Sequence, residues 1–276
     1  MRKLFLQLLP KILITRIVGF FTSCKLPSWI LQRFIQKFIK SYNIDMEEAQ
    51  PAEFKTFNDF FTRAIRPECR PINDIENMIV SPVDGTIAQF GIISNNTLIQ
   101  AKGIDYSLDK LVVLPEYANY YKDGSYITIY LSPSNYHRIH TPASGEIKEL
   151  LYVPGVLYPV NFFAVQNFPG LFTKNERLLS ILDNPQHGKI AVIKVGATIV
   201  GKIKVTYDTI EAKHTKKIIH KTYENIFMNK GAELGRFEMG STVILLFPKD
   251  TVEWENITPG QKIKFGEAIA KFLDHA

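Results

Sequence analysis

Gly235-Arg236-Phe237-Glu238-Met239-Gly240-Ser241-Thr242-Val243-Ile244-Leu245-Leu246-Phe247 sets a glycine-rich turn directly before an uninterrupted apolar run. Six residues, Thr242 to Phe247, are too few for a core helix and rich in β-formers, which predicts a buried strand. Outward from it, the chain after Asp45 keeps one texture: short Ile, Val, Tyr and Thr segments broken by Gly, Pro, Asn and Asp. Further strands are therefore expected at Tyr126 to Leu131, Ile190 to Val195, Thr198 to Val205 and Lys262 to Phe265. Helical periodicity is sparse, at Thr56 to Arg66 and Leu108 to Pro115. There is no P-loop, no G-x-G-x-x-G, no repeat and no low-complexity linker, so nothing points to a nucleotide-binding sheet. The expected fold class is α+β, with a mostly-β domain over residues 45–276.

Residues 1–44 read differently. Eight of the 33 basic residues and none of the 27 acidic ones fall between Met1 and Lys40, which leaves 25 against 27 in the rest. The net charge of +6 is thus a basic arm on a nearly neutral body. The longest uncharged run in the arm, Ile17 to Cys24, is far short of the roughly 20 residues a spanning helix needs. Lys11 and Arg16 interrupt the apolar stretch and no small-residue cleavage site follows, so a secretory signal is a poor match. From Trp29 to Lys40 the set Ile30, Leu31, Phe34, Ile35, Phe38 and Ile39 recurs at helical spacing, with Ser28 as the expected N-cap. Leu4 to Phe21 gives a broader apolar face. Two ordinary helices covering a core would also show this pattern, but eight cations without an anion favour helices lying on an anionic membrane surface. So much Leu, Ile and Phe does not suit a nucleic-acid arm. A mitochondrial transit peptide, also basic and acid-poor, is an alternative. Two cysteines, Cys24 and Cys69, make no disulfide framework, and a reducing compartment is the default.

Three groups could act together. Asp84 lies in the turn Ser81-Pro82-Val83-Asp84-Gly85. His137 and His140 lie in Tyr136-His137-Arg138-Ile139-His140, an extended segment in which residues three apart point to opposite faces, so two roles are expected rather than a metal clamp. No metal is expected. Ser241 follows Gly240, and a Ser hydroxyl in a strained turn can attack the carbonyl before it, given a base and an acid to orient that base. Taken one at a time, a turn, satisfied structural histidines and a glycine-rich bend are the plainer readings. The lysine and histidine cluster from Lys213 to Lys221 reads as a solvated face.

Taken together and in order, these segments resemble the bacterial, membrane-associated phosphatidylserine decarboxylases, which are pyruvoyl-dependent. The resemblance runs through Phe57-Asn58-Asp59-Phe60-Phe61 with Arg63, Arg70 and Pro71; Ser81 to Gly85; Tyr130 to His140; Asn161; Leu171 to Arg177; Val195 to Gly201; and Lys230-Gly231 through Glu233, Gly235 and Phe237 to Gly240-Ser241-Thr242. Pro159, where a Ser is usual, is a departure. The resemblance implies that Asp84, His140 and Ser241 form a self-cleavage triad in which His140 takes the Ser241 proton and Asp84 orients the imidazole. Cleavage between Gly240 and Ser241 would leave a β chain of residues 1–240 and an α chain of 241–276, held as a heterodimer, with Ser241 converted to the covalent pyruvoyl cofactor. That group would form a Schiff base with phosphatidylserine, and His137 would return the proton after CO₂ leaves, giving phosphatidylethanolamine. A peripheral place on the cytoplasmic side of the cell membrane is implied, with no nucleic-acid partner. The competing readings are a pyruvoyl decarboxylase of a soluble amino acid, a non-enzymatic membrane-bound β domain that never cleaves, and a His-based metal hydrolase.

Overall fold

A computed structural model describes residues 11–198, 202–210, 217–238 and 242–273. The predicted Thr242–Phe247 strand lies within the largest sheet, pairing with Gly188–Val195 on one side and Ser125–Tyr130 on the other. All six of its residues are buried, as its unbroken apolar run requires. The sheet is antiparallel, running in the order Ile219–Thr222, Gly145–Val153, Arg177–Asn184, Gly188–Val195, Thr242–Phe247, Ser125–Tyr130, Gly85–Ile92 and Lys262–Ile263. Residues of its central strands form one continuous apolar cluster. A three-stranded sheet of Ile203–Val205, Glu233–Phe237 and Arg138–His140 carries the histidine segment. A third pairs Ala268–Phe272 with Met78–Val80 and Val252–Trp254. The fold is mostly β.

Several predicted boundaries shift for identifiable reasons. The strand expected from Lys262 to Phe265 stops at Ile263, because the Phe265 N–H turns away to a carboxylate. Of the Thr198 to Val205 prediction, Ile203–Val205 is a strand, while 199–201 lie outside the described residues. The predicted Leu108 to Pro115 helix ends at Val112, since Val113 adopts a left-handed φ of 57° and Pro115 starts a second short helix, Pro115–Tyr120. Thr56 and Asp59 close a reciprocal cap at the start of the Phe57–Phe61 helix, which ends at Thr62 and carries the buried Phe60 and Phe61.

Helices Lys11–Ser23 and Ser28–Tyr42 form the described part of the arm. Ser28 is not the N-cap of the second. Pro27 holds that place in an extended conformation, its carbonyl accepting from the Ile30 and Leu31 amides. One edge of this helix is core: Leu31 and Ile35 pack with Ile44 and Phe60, and Phe38 meets Phe57, Phe60 and Phe61. Its other apolar edge, Trp29 and Phe34, is exposed. Among the described residues no helix is long and apolar enough to cross a membrane.

Candidate active site

His140 ends the Arg138–His140 strand, with its ring stacked on Phe265 at a centroid distance of 3.7 Å. Its Nδ1 lies 2.8 Å from the Gly231 carbonyl, which can only accept, so Nδ1 carries the proton. Nε2 then presents its lone pair to the Tyr136 hydroxyl at 3.0 Å. Burial is the main cause that pulls His140 down to about 4, and the ring is neutral at pH 7.

Asp84 follows a turn pinned by the Ser81 hydroxyl, which donates to the Val83 carbonyl at 2.7 Å. At the next residue the Tyr130 carbonyl approaches so closely that a Cβ on Gly85 would meet its oxygen at 2.6 Å. The Asp84 carboxylate receives the Arg70 fork, Nε to Oδ1 at 2.9 Å and Nη2 to Oδ2 at 2.6 Å, and the Phe265 N–H at 2.9 Å. Arg70 also reaches Glu48 at 2.6 Å, and with Lys264 it holds the Glu48 carboxyl down at about 2. The sequence leads one to expect Asp84 beside the His140 imidazole. Among the described residues no hydrogen bond joins the two; the Gly231 carbonyl sets the tautomer, while Asp84 acts on His140 through its charge and through Phe265, whose amide it holds and whose ring packs on the imidazole. The physical reason is that a guanidinium offers a carboxylate two charge-assisted bonds where a neutral imidazole offers one.

His137 is fully buried and stacks on Phe61 at 4.1 Å. Neither of its nitrogens makes a regular hydrogen bond among the described residues, although the Pro133 and Ser132 carbonyls lie nearby. Burial, helped by the Arg63 charge, pushes its pKa down to about 3. His137 and His140 thus meet different surroundings, Phe61 for one and Phe265 with Tyr136 for the other, as residues three apart on extended backbone should. Among the described residues, no three His, Cys, Asp or Glu side chains converge as metal ligands.

Gly240 and Ser241 lie outside the described residues. Their flanks are fixed: the Phe237 and Glu238 amides donate to the carbonyls of His137 and Lys202, and Thr242 pairs with Tyr130 and Val195. The Thr242 hydroxyl is buried without a partner among the described residues. Beside this strand end lies a cavity of about 180 Å³ bordered by Phe38, Tyr42, Phe61, Tyr130, Pro159 and Asn161. One wall is stapled by Asn175, whose side chain donates to the Tyr158 and Gly196 carbonyls and accepts from the Tyr158 amide. Sequence reasoning missed the roles of Arg70, Tyr136, Gly231, Phe265 and Asn175. Arg70 and Asn175 stand in segments that carry the resemblance, but Phe265 lies far along the chain and carries no sequence signal.

Fold and site together define a mostly-β domain with a buried histidine and carboxylate site beside its central strand. The sequence profile described as phosphatidylserine decarboxylase matches residues 57–271, and a second, described as PSD, matches residues 3–43. The chain belongs to the phosphatidylserine decarboxylase family. A phosphatidylserine decarboxylase proenzyme of Alteromonas mediterranea is 42% identical over 95% of this chain and 83% of its own length. One from Saccharophagus degradans is 41% identical over 98% and 96%, and one from Myxococcus xanthus 44% identical over 91% and 90%.

Proposed function

We propose that this chain converts phosphatidylserine to phosphatidylethanolamine and CO₂, using a pyruvoyl group that it makes from its own Ser241. The carrying observation is the family match over residues 57–271, a span that includes Asp84, His137, His140 and Ser241. The relatives' description as proenzymes supports self-cleavage.

In the first step the Ser241 hydroxyl oxygen bonds to the Gly240 carbonyl carbon, the amide C–N bond breaks, and an ester with a free amine at 241 results. His140 is suited to take the hydroxyl proton because burial keeps it neutral. Loss of the Gly240 carboxylate by elimination, and of the nitrogen as ammonia to water, leaves the pyruvoyl group at the start of the 241–276 chain. Burial of the Thr242–Phe247 strand on both faces keeps that chain in place after the cut. The residues present fit such a group. Two buried side chains unpartnered among the described residues touch the cavity lining, Thr242 through its pair Tyr130 and His137 through its stack on Phe61.

A pyruvoyl group supplies a carbonyl for the substrate amine and a sink for electron density as CO₂ departs. The chain must then exclude water and return one proton to the α-carbon. Phe38, Phe61 and Tyr130 border the cavity with apolar surface. His137 is the candidate for the proton, although in the resting state its ring is neutral and has only an N–H proton to give.

Membrane attachment is part of the proposal. Trp29 and Phe34 are exposed on the helix that supplies Phe38 and Tyr42 to the cavity, and Phe162, 77% exposed, opens the Phe162–Asn167 helix next to the cavity residue Asn161. Exposed Lys25, Arg33, Lys37 and Lys40 accompany them, which suits a peripheral site on an anionic bilayer on the cytoplasmic side. The test is turnover of phosphatidylserine in anionic vesicles by the purified chain. Formation of phosphatidylethanolamine by wild type but not by Ser241→Ala supports the reading; equal formation, or none, refutes it.

A further inference from the structure

Arg63 is 5% exposed, and among the described residues neither its Nε nor its Nη1 has a hydrogen-bond partner. Its Nη2 makes one long contact, 3.5 Å to the Ser134 carbonyl, and its Cζ stands 5.4 Å from the centre of the Phe60 ring. Arg177, also deeply buried, is the contrast: its nitrogens donate to the carbonyls of Leu111, Thr173, Asn175 and Lys110. Leaving a buried guanidinium with unused donors is costly, and such a cost persists where a ligand supplies the acceptors.

Arg63 borders a second cavity, of about 220 Å³, together with Arg70, Asp84, Tyr136, Lys262 and Lys264. Arg70 is matched by Asp84 and Glu48, and Lys264 by Glu48. Among the described residues Arg63 is the buried cation of the group with no carboxylate at ion-pair distance, although the Asp84 and Glu48 charges reach it. Its free Nε and Nη1 lie on different edges of the guanidinium plane, and either, together with an Nη2 hydrogen, can meet a monoanion carrying two acceptor oxygens.

We propose that Arg63 binds the phosphodiester of the lipid headgroup. This rests on the decarboxylase reading above. The substrate has two anions, and the chemistry selects between them. A carboxylate held by a cation loses that attraction as it leaves as CO₂, so the contact would stabilise the ground state against the transition state. The phosphodiester keeps its charge throughout and can be held without that penalty. Position agrees: the Arg63 charge is felt at the His137 ring, so an anion on Arg63 also removes one cause that keeps His137 from taking a proton.

The test uses the purified full chain with a phosphatidylserine of short acyl chains, kept monomeric so that membrane docking plays no part. Arg63→Met should raise KM roughly 10- to 100-fold, the range for losing a charge-assisted fork, with a smaller change in kcat and unchanged self-cleavage by mass. Arg63→Lys, which keeps charge and stem, should raise KM about 10-fold and covers the case that the Met variant does not fold. Glycerophosphoethanolamine should raise the wild-type melting temperature and leave Arg63→Met unmoved, while ethanolamine alone moves neither. Unchanged KM in both variants, or equal stabilisation of wild type and variant by glycerophosphoethanolamine, overturns the inference. So does equal stabilisation by inorganic phosphate at the same concentration, which would mark a site for free anions rather than a headgroup. The binding arm needs no turnover, so it is decisive even if the wild type decarboxylates nothing.

Discussion

Replacing Arg70 by Met should remove a large share of the stability of this fold. The Arg70 and Asp84 side chains are 5% and 8% exposed and share two bonds, while the second partner, Glu48, is 26% exposed. Without Arg70 the Asp84 carboxylate keeps only the Phe265 amide among the described residues. Breaking a buried pair on one side costs about 3–5 kcal/mol, and the more solvated Glu48 branch adds less than about 1. Against a typical stability of roughly 5–15 kcal/mol the loss is severe. The assay is urea unfolding at pH 7, followed by the fluorescence of Trp254, half-buried against Phe90 and Phe247. Every protein should carry Ser241→Ala, so that cleavage does not differ between samples. A cycle with Asp84→Asn should return a coupling of about 2–3 kcal/mol, because the double variant no longer buries an unmatched charge. A single-variant loss below about 1 kcal/mol, or a coupling indistinguishable from zero, would refute the clamp as the element that holds Asp84.

Acid should destabilise the chain through its two buried histidines. Their folded values, about 3 for His137 and about 4 for His140, lie below the unfolded value, so their contribution is full above about pH 6.5 and is lost as pH falls below it. By pH 5 each should cost about 2 kcal/mol, and His140→Asn should show a flatter profile in urea titrations at pH 7 and pH 5; an unchanged slope would count against a buried neutral ring. Lys194 is fully buried, with its amine on Ser180 at 2.6 Å, and burial lowers it to about 7. Its charging penalty is therefore absent above about pH 10.5 and full below 7, so Lys194→Met should stabilise by about 1–3 kcal/mol at pH 6 and by less at pH 9. A destabilised Met variant at pH 6 would contradict this. Tyr136→Phe frees the His140 Nε2, so self-cleavage should persist; an uncut chain would show that the Tyr136 hydroxyl relays the proton. Asp84→Asn should leave the chain uncut, and a fully cut variant would exclude Asp84 from maturation.

The central strand was legible because an apolar run of that length admits few other readings, and the His137 and His140 division because period two dictates it. The arm was half legible. Helical spacing found Leu31, Ile35 and Phe38, but a periodic stripe cannot say which edge meets a core, and here the Phe60 and Phe61 pair decides it. How Asp84 and His140 are held depends on distant partners. Gly231 lies 91 residues from His140, and Phe265 lies 181 from Asp84. No local pattern encodes such contacts. Arg70 stood near Asp84 in sequence, yet its preference for that carboxylate follows from burial, which composition does not reveal.

The proposed chemistry turns on a bond broken within the chain. Mass spectrometry of the purified full-length protein reads it directly. In place of one species near 31.5 kDa, two of about 27 and 4 kDa are expected, the smaller beginning with residue 241 as pyruvoyl rather than serine. An intact chain that keeps an unmodified Ser241 would contradict it.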